Sequence, residues 1–134
     1  MYELVHHTAD VRLRVSAPSL EELFHDAVLG MYAVMRGEAG ANARDVQRTI
    51  AVDESPDTTA LLVDFLNDVL HRAHIARELF TAVTFTRFDG TSLTAELTGI
   101  APASFEEDVK AVTYHEADVR REGEAWVTML VFDL

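Results

Sequence analysis

The 134-residue chain contains no cysteine. Disulfides and thiolate metal sites are therefore excluded, and nothing suggests secretion. Proline and glycine are scarce, at three and six residues, and no repeat, low-complexity tract or linker interrupts the chain. Basic residues are also few. Eleven Lys and Arg stand against 23 Asp and Glu, a formal net charge of −12. A surface of that sign repels phosphate backbones, so no strong direct binding to RNA or DNA is expected. Acidity favours cations or a basic partner, and it also serves plain solubility. No apolar stretch approaches the ~20 residues that a membrane span needs. The opening Met1 to Arg12 lacks the basic and apolar regions of a signal peptide. The expectation is a soluble cytoplasmic protein.

What is present suits one folded domain over residues 1–134. Hydrophobic residues make up 49% of the chain, enough to build a core at this length. Tyr2 to His6 and Val11 to Val15 read as extended; Val11, Leu13 and Val15 alternate with Arg12 and Arg14, the period of a half-buried strand. The strand stops at Pro18. Ser19 and Glu22 then form a capping box, followed by Leu20, Leu23, Phe24, Ala27, Val28, Met31 and Met35 at helical spacing. That helix ends near Gly37, and Gly37 to Asn42 reads as a loop.

Val46 to Val52 predicts a strand. Ser55, Pro56 and Asp57 predict a second helix start, with proline in a tolerated first-turn position. Its buried stripe is Leu62, Phe65, Leu66, Val69, Leu70 and Ala73, and it runs to about His74. The remainder is β. Leu79 to Phe88 and Ser92 to Gly99 flank Asp89-Gly90, a two-residue hairpin signal. Val109 to His115 predicts a strand that continues towards Arg121; Gly123 turns the chain. Trp126 to Leu134 is apolar on both faces apart from Thr128 and Asp133, which argues for a central place in a sheet. Two helices and about seven strands predict an α+β two-layer sandwich with a mixed or antiparallel sheet.

Four constellations could carry chemistry. His6-His7-Thr8-Ala9-Asp10 lies between two extended pieces, where polar groups can converge, although an Asp there also serves an ordinary turn. Asp133 closes an apolar strand one residue before the end of the sequence. Its carboxylate and the α-carboxylate of Leu134 would both be ionised at neutral pH, and a divalent cation with oxygen ligands would relieve their repulsion. A frayed, solvated end is the alternative. Lys110 to His115 alternates faces, and His115 could be a ligand, a partner contact or a donor to a carboxylate, or simply solvated. Asp64, Asn67, Asp68 and His71 share a helix, and Asp64, Asp68 and His71 fall on one face; this reads as the solvated face opposite the apolar stripe. His71 and His74 have metal-ligand spacing without a supporting motif. No nucleophile elbow and no glycine-rich phosphate loop appears.

Taken together, the segments resemble the archease family. The resemblance runs essentially end to end. It is carried by Tyr2-Glu3 followed by HTAD at His7 to Asp10, SLEELFHDAVLGMYAVM at Ser19 to Met35, LLVDFLNDVL at Leu61 to Leu70, VKAVTYH at Val109 to His115, and the ending VFDL. It implies a protein cofactor, not an enzyme, that promotes guanylylation and multiple turnover of an RtcB-type tRNA-splicing RNA ligase. It further implies a divalent metal ion (calcium, magnesium or manganese) held by Asp10, Asp133 and the main chain or terminus of Leu134. His6, His7, Lys110 and His115 would then support the site or touch the partner. The family commonly has Asp before HTAD; here His6 stands there, and a nitrogen ligand at that place would favour transition metals over calcium. Competing expectations are a general chaperone or adaptor acting through an apolar patch, and a metal-dependent hydrolase using Asp10, Asp133 and His115. The hydrolase lacks an evident nucleophile or base pair.

Overall fold

The computed structural model describes residues 1–6 and 10–134. His7, Thr8 and Ala9 of the HTAD segment, and the side chain of His6, lie outside the described residues. Strands β1 (Tyr2–His6) and β2 (Val11–Ala17) pair antiparallel. Helix α1 (Leu20–Met35) follows, capped by Ser19, whose Oγ accepts the Glu22 amide at 3.2 Å. That bond satisfies one of the free amides at the helix start. The helix ends at Arg36 in the left-handed region, φ 51°. Strand β3 (Gly37–Val52) leads to α2 (Thr58–Ala76), which is capped by the Asp57 carboxylate. Strands β4 (Leu79–Phe88), β5 (Leu93–Phe105), β6 (Ala111–Thr113), β7 (Arg120–Glu122) and β8 (Ala125–Asp133) complete the chain.

Two antiparallel sheets result. One runs β1-β2-β8-β6, with β7 also paired to β8; the other runs β3-β5-β4. Helix α1 packs on β1 and β2 of the first sheet and on β4 of the second, while α2 packs on β3, β5 and β6. The core therefore lies between helices and sheets. Leu13, Leu130 and Phe132 enter it from the first sheet, Leu93 and Leu97 from the second, and Phe24 and Phe65 from the helices, all with 1% exposure or less. Each such side chain contributes roughly 1.5–3 kcal/mol by leaving water. Phe24 also meets Phe88 edge-on at 5.0 Å between ring centres.

The α+β sandwich expected from the sequence is present, and β8 holds its expected central place. Several boundaries differ. Residues Gly37 to Asn42 are strand, not loop: Gly37, Glu38 and Ala39 pair with Phe105, Ser104 and Ala103, and the register shifts before Arg44. Partner strand β5, which runs on to Phe105, supplies the hydrogen bonds that local composition cannot reveal. Pro56 precedes the cap of α2 instead of sitting in its first turn, and α2 runs two residues past His74. The Asp89 hairpin has a four-residue loop, since Phe88 and Leu93 are the last ladder pair. There the Asp89 carboxylate accepts the Thr91 and Ser92 amides, at 3.1 and 2.8 Å, and these bonds hold it below the usual carboxylate range. The expected strand at Val109 to His115 shrinks to three residues and does not run on to β7, so the described strands number eight.

Candidate functional site

The pairing of β2 with β8 organises the site. Val11 stands opposite Phe132 and Arg12 opposite Val131. Asp10 and Asp133 are the next residues beyond the Val11–Phe132 pair, the last of that ladder, on their two strands, and Asp133 is itself paired with Ala111 of β6. Asp10 occupies a bend just before β2. The next row on the same face is Val5, Arg12, Val131 and Thr113. Side chains directly opposite in such a ladder have Cβ atoms about 4.5–5.5 Å apart. The β6 side is tied down by the Lys110 amide, which donates to the Asp133 carbonyl at 2.7 Å.

Beside this row is a cleft of about 230 Å³, lined by Asp10 and Leu134 together with Leu4, Val11, Val34 and Arg36. Most of its lining is apolar, and Asp10, Arg36 and Glu107 are its charged members. Asp10 and Arg12 are each 24% exposed along the side chain, and Arg12 Nε stands 3.6 Å from Asp10 Oδ1. The other end of the guanidinium reaches Glu116 Oε2 at 3.0 Å. Glu116 lies in the turn after β6 with φ 61°.

The structure brings Asp10 and Leu134 to one cleft; Asp133, the neighbour of Leu134 at the end of β8, is not among the lining residues. Lys110 and His115 are both exposed. His115 follows β6, its amide donating to Thr113 Oγ1 at 3.3 Å; neither side chain is among the cleft-lining groups. By donor type, two carboxylates and main-chain oxygens fit a hard divalent cation. Among the described residues, no three His, Asp or Glu side chains are grouped to hold a metal ion. His74 of the His71/His74 pair instead lies 3.9 Å from Asp108.

On helix α2 the expected solvated face is only partly present. Asp68 and His71 are solvated as expected, and partial burial together with the nearby Asp64 charge raises the Asp68 carboxyl above its ordinary value. Asn67 and Asp64 are not idle. The Asn67 side chain donates to the Val112 carbonyl and accepts the Val112 amide, both at 2.9 Å. Asp64 accepts hydrogen bonds from Ser55 and from the Tyr114 hydroxyl; the latter bond raises the Tyr114 hydroxyl above its usual value. A sequence signal existed for Asn67. It lies one turn from Val63 and Leu70, at the border of the buried stripe, where an amide needs partners.

Fold and site define a small two-sheet α+β protein whose oxygen-donor strand ends flank an apolar cleft. The description of the archease protein family (MTH1598/TM1083) matches residues 2–134, and the chain belongs to that family. It is similar to protein archease of Methanosarcina barkeri, at 28% identity over 99% of this chain and 95% of that one. It is 30% identical to protein archease of Pyrococcus furiosus, over 99% and 98% of the two chains. The solution structure of Methanobacterium thermoautotrophicum protein 1598 superposes with a TM-score of 0.71 at 29% identity, over 99% and 98% of the two chains. The crystal structure of a Thermotoga maritima archease shares the fold, with a TM-score of 0.70 at 22% identity over 100% and 98%. No described helix is long and apolar enough to cross a membrane.

Proposed function

We propose that this chain is a non-enzymatic protein cofactor of an RtcB-type RNA ligase, promoting ligase guanylylation and turnover, and that it carries a divalent cation at Asp10, Asp133 and the main chain of Leu134. The family match supports the cofactor role. The observation that supports the metal reading is the β2–β8 ladder, whose last pair, Val11 with Phe132, adjoins Asp10 on one strand and Asp133 on the other, beside a cleft lined by Asp10 and Leu134. Two carboxylates at adjacent strand ends repel each other, and a cation held there would offset that repulsion. The chain's own residues supply anchoring and shape: β6 fastens the Asp133 main chain, and Leu4, Val11 and Val34 present an apolar wall to a partner.

The test compares guanylylation of the ligase from the same organism with wild-type chain, with Asp10→Ala, and with no addition. Wild type is expected to accelerate the reaction, and Asp10→Ala to return it to the basal rate while remaining folded. Equal stimulation by the variant would remove the metal site from the mechanism. Failure of the wild-type chain to stimulate would remove the ligase. Hydrolysis of GTP or modification of RNA by the chain alone would overturn the cofactor reading.

A further inference from the structure

We infer that Arg12 is a built-in counter-ion of the Asp10 site, one that competes with an incoming cation and is drawn off by Glu116. This rests on the metal reading just proposed and assigns a residue that sets its affinity. Arg12 lies two residues along the chain from Asp10, with Val11 between them, a spacing that returns the side chain to the same face of an extended strand. Its guanidinium spans two carboxylates, with Nε 3.6 Å from Asp10 Oδ1 and a terminal nitrogen 3.0 Å from Glu116 Oε2. The two contacts are unequal. The Glu116 contact is within hydrogen-bonding distance; the Asp10 contact is beyond it and is held by charge alone. Arg12 Nε is buried and has no hydrogen-bond partner among the described residues.

The electrostatics then fix the direction of the effect. A divalent cation at Asp10 meets a positive guanidinium within a few ångströms, in a setting where neither side chain is fully solvated. Binding must overcome that repulsion, and it does so more readily the more completely Arg12 sits on Glu116. Glu116 belongs to the turn between β6 and β7, so occupancy of Asp10 is coupled through Arg12 to a loop that neither lines the cleft nor carries a proposed ligand. The pair Arg12 and Glu116 tunes the site without touching the ion.

The experiment is calorimetric titration of the full chain with calcium chloride and, separately, manganese chloride, using wild type, Asp10→Asn, Arg12→Met and Glu116→Gln. Arg12→Met removes the competing charge while keeping an unbranched stem over Val131, so binding is expected to tighten on the order of tenfold. Glu116→Gln leaves Arg12 with Asp10 as its remaining carboxylate, so binding is expected to weaken severalfold. Opposite signs are the signature, because local damage to the fold would weaken binding in both variants. Unchanged or weaker binding in Arg12→Met, with wild type binding and Asp10→Asn not binding, would overturn this inference and leave the metal reading standing. If wild type binds neither ion, or Asp10→Asn binds as well as wild type, the metal reading falls and takes the inference with it.

Discussion

Glu78 shows how much one residue can depend on three elements. Its side chain is 1% exposed, yet it carries a carboxylate. Oε2 accepts Arg48 Nε from β3 and Oε1 accepts Arg72 Nε from α2, each at 2.6 Å. Its main-chain carbonyl accepts the Tyr32 hydroxyl at 2.9 Å. Burial, opposed by a backbone hydrogen bond at Phe80, holds that hydroxyl well above its usual value, so it remains a donor. A buried charge is tolerable only with such partners, and removing one side of the pair leaves the other uncompensated. Arg48 and Arg72 are 40% and 32% exposed, so water can recover part of their solvation once the carboxylate is gone. Glu78→Ala is therefore expected to cost about 3 kcal/mol, the low end for a broken buried pair, read as a shift in urea midpoint at constant slope. A loss below about 1 kcal/mol, the scale of an exposed pair, would show that the triad is dispensable. Nothing in the sequence joined Arg48, Arg72 and Glu78, because they meet only when β3, α2 and the start of β4 are assembled.

At the scale of elements, legibility followed the source of each element's hydrogen bonds. The α1 spacing from Leu20 to Met35 and the Ser19 cap are local, and the helix was readable to within a residue or two. Strand β3 was half readable. Val46 to Val52 alternates, but Gly37 to Ala39 become strand only because β5 reaches that far. The three-residue β6 is the extreme case. It pairs with β8 on one edge, and its other edge would leave Val112 with a bare amide and carbonyl. Asn67 takes both, so a helix side chain stands in for a neighbouring strand. The same argument applies to the candidate site. Asp10 and Asp133 were singled out separately; the pairing of β2 with β8 that brings their strands together joins opposite ends of the sequence, and from sequence alone a shared site entered only through the family resemblance. Asn67→Ala is expected to cost roughly 1–3 kcal/mol, since two part-buried backbone groups lose their partners. Amide exchange of Val112 should accelerate far more than that of Leu66 in the middle of α2. Unchanged protection at Val112 would mean that β8 alone holds β6 in place.

At the scale of the whole molecule, charge decides what the chain can meet. The net charge of −12 does not by itself exclude a local basic patch, because arginines gather on the outer face of the first sheet. Arg12 is paired with Glu116, Arg14 with Glu122 at 3.4 Å, and Arg120 with Glu122 at 3.1 Å and Asp118 at 3.6 Å. The exposed pairs of Arg14 and Arg120 add little stability, but all of these pairs cancel the field that a phosphate backbone would feel. A protein binds nucleic acid nonspecifically by releasing condensed counterions with unpaired Lys and Arg, and this face offers paired ones on an acidic body. The chain alone is therefore expected to leave the anisotropy of a labelled single-stranded RNA unchanged at about 0.15 M salt, where fields beyond a Debye length of ~8 Å are screened. At about 0.01 M salt, where the Debye length grows to ~30 Å, the net negative field should reach the RNA and oppose association further. Binding that strengthens as salt is lowered would reveal a functional basic surface despite the carboxylate partners. The division of labour in the proposed function, with RNA handled by the ligase and not by this chain, would then have to be abandoned.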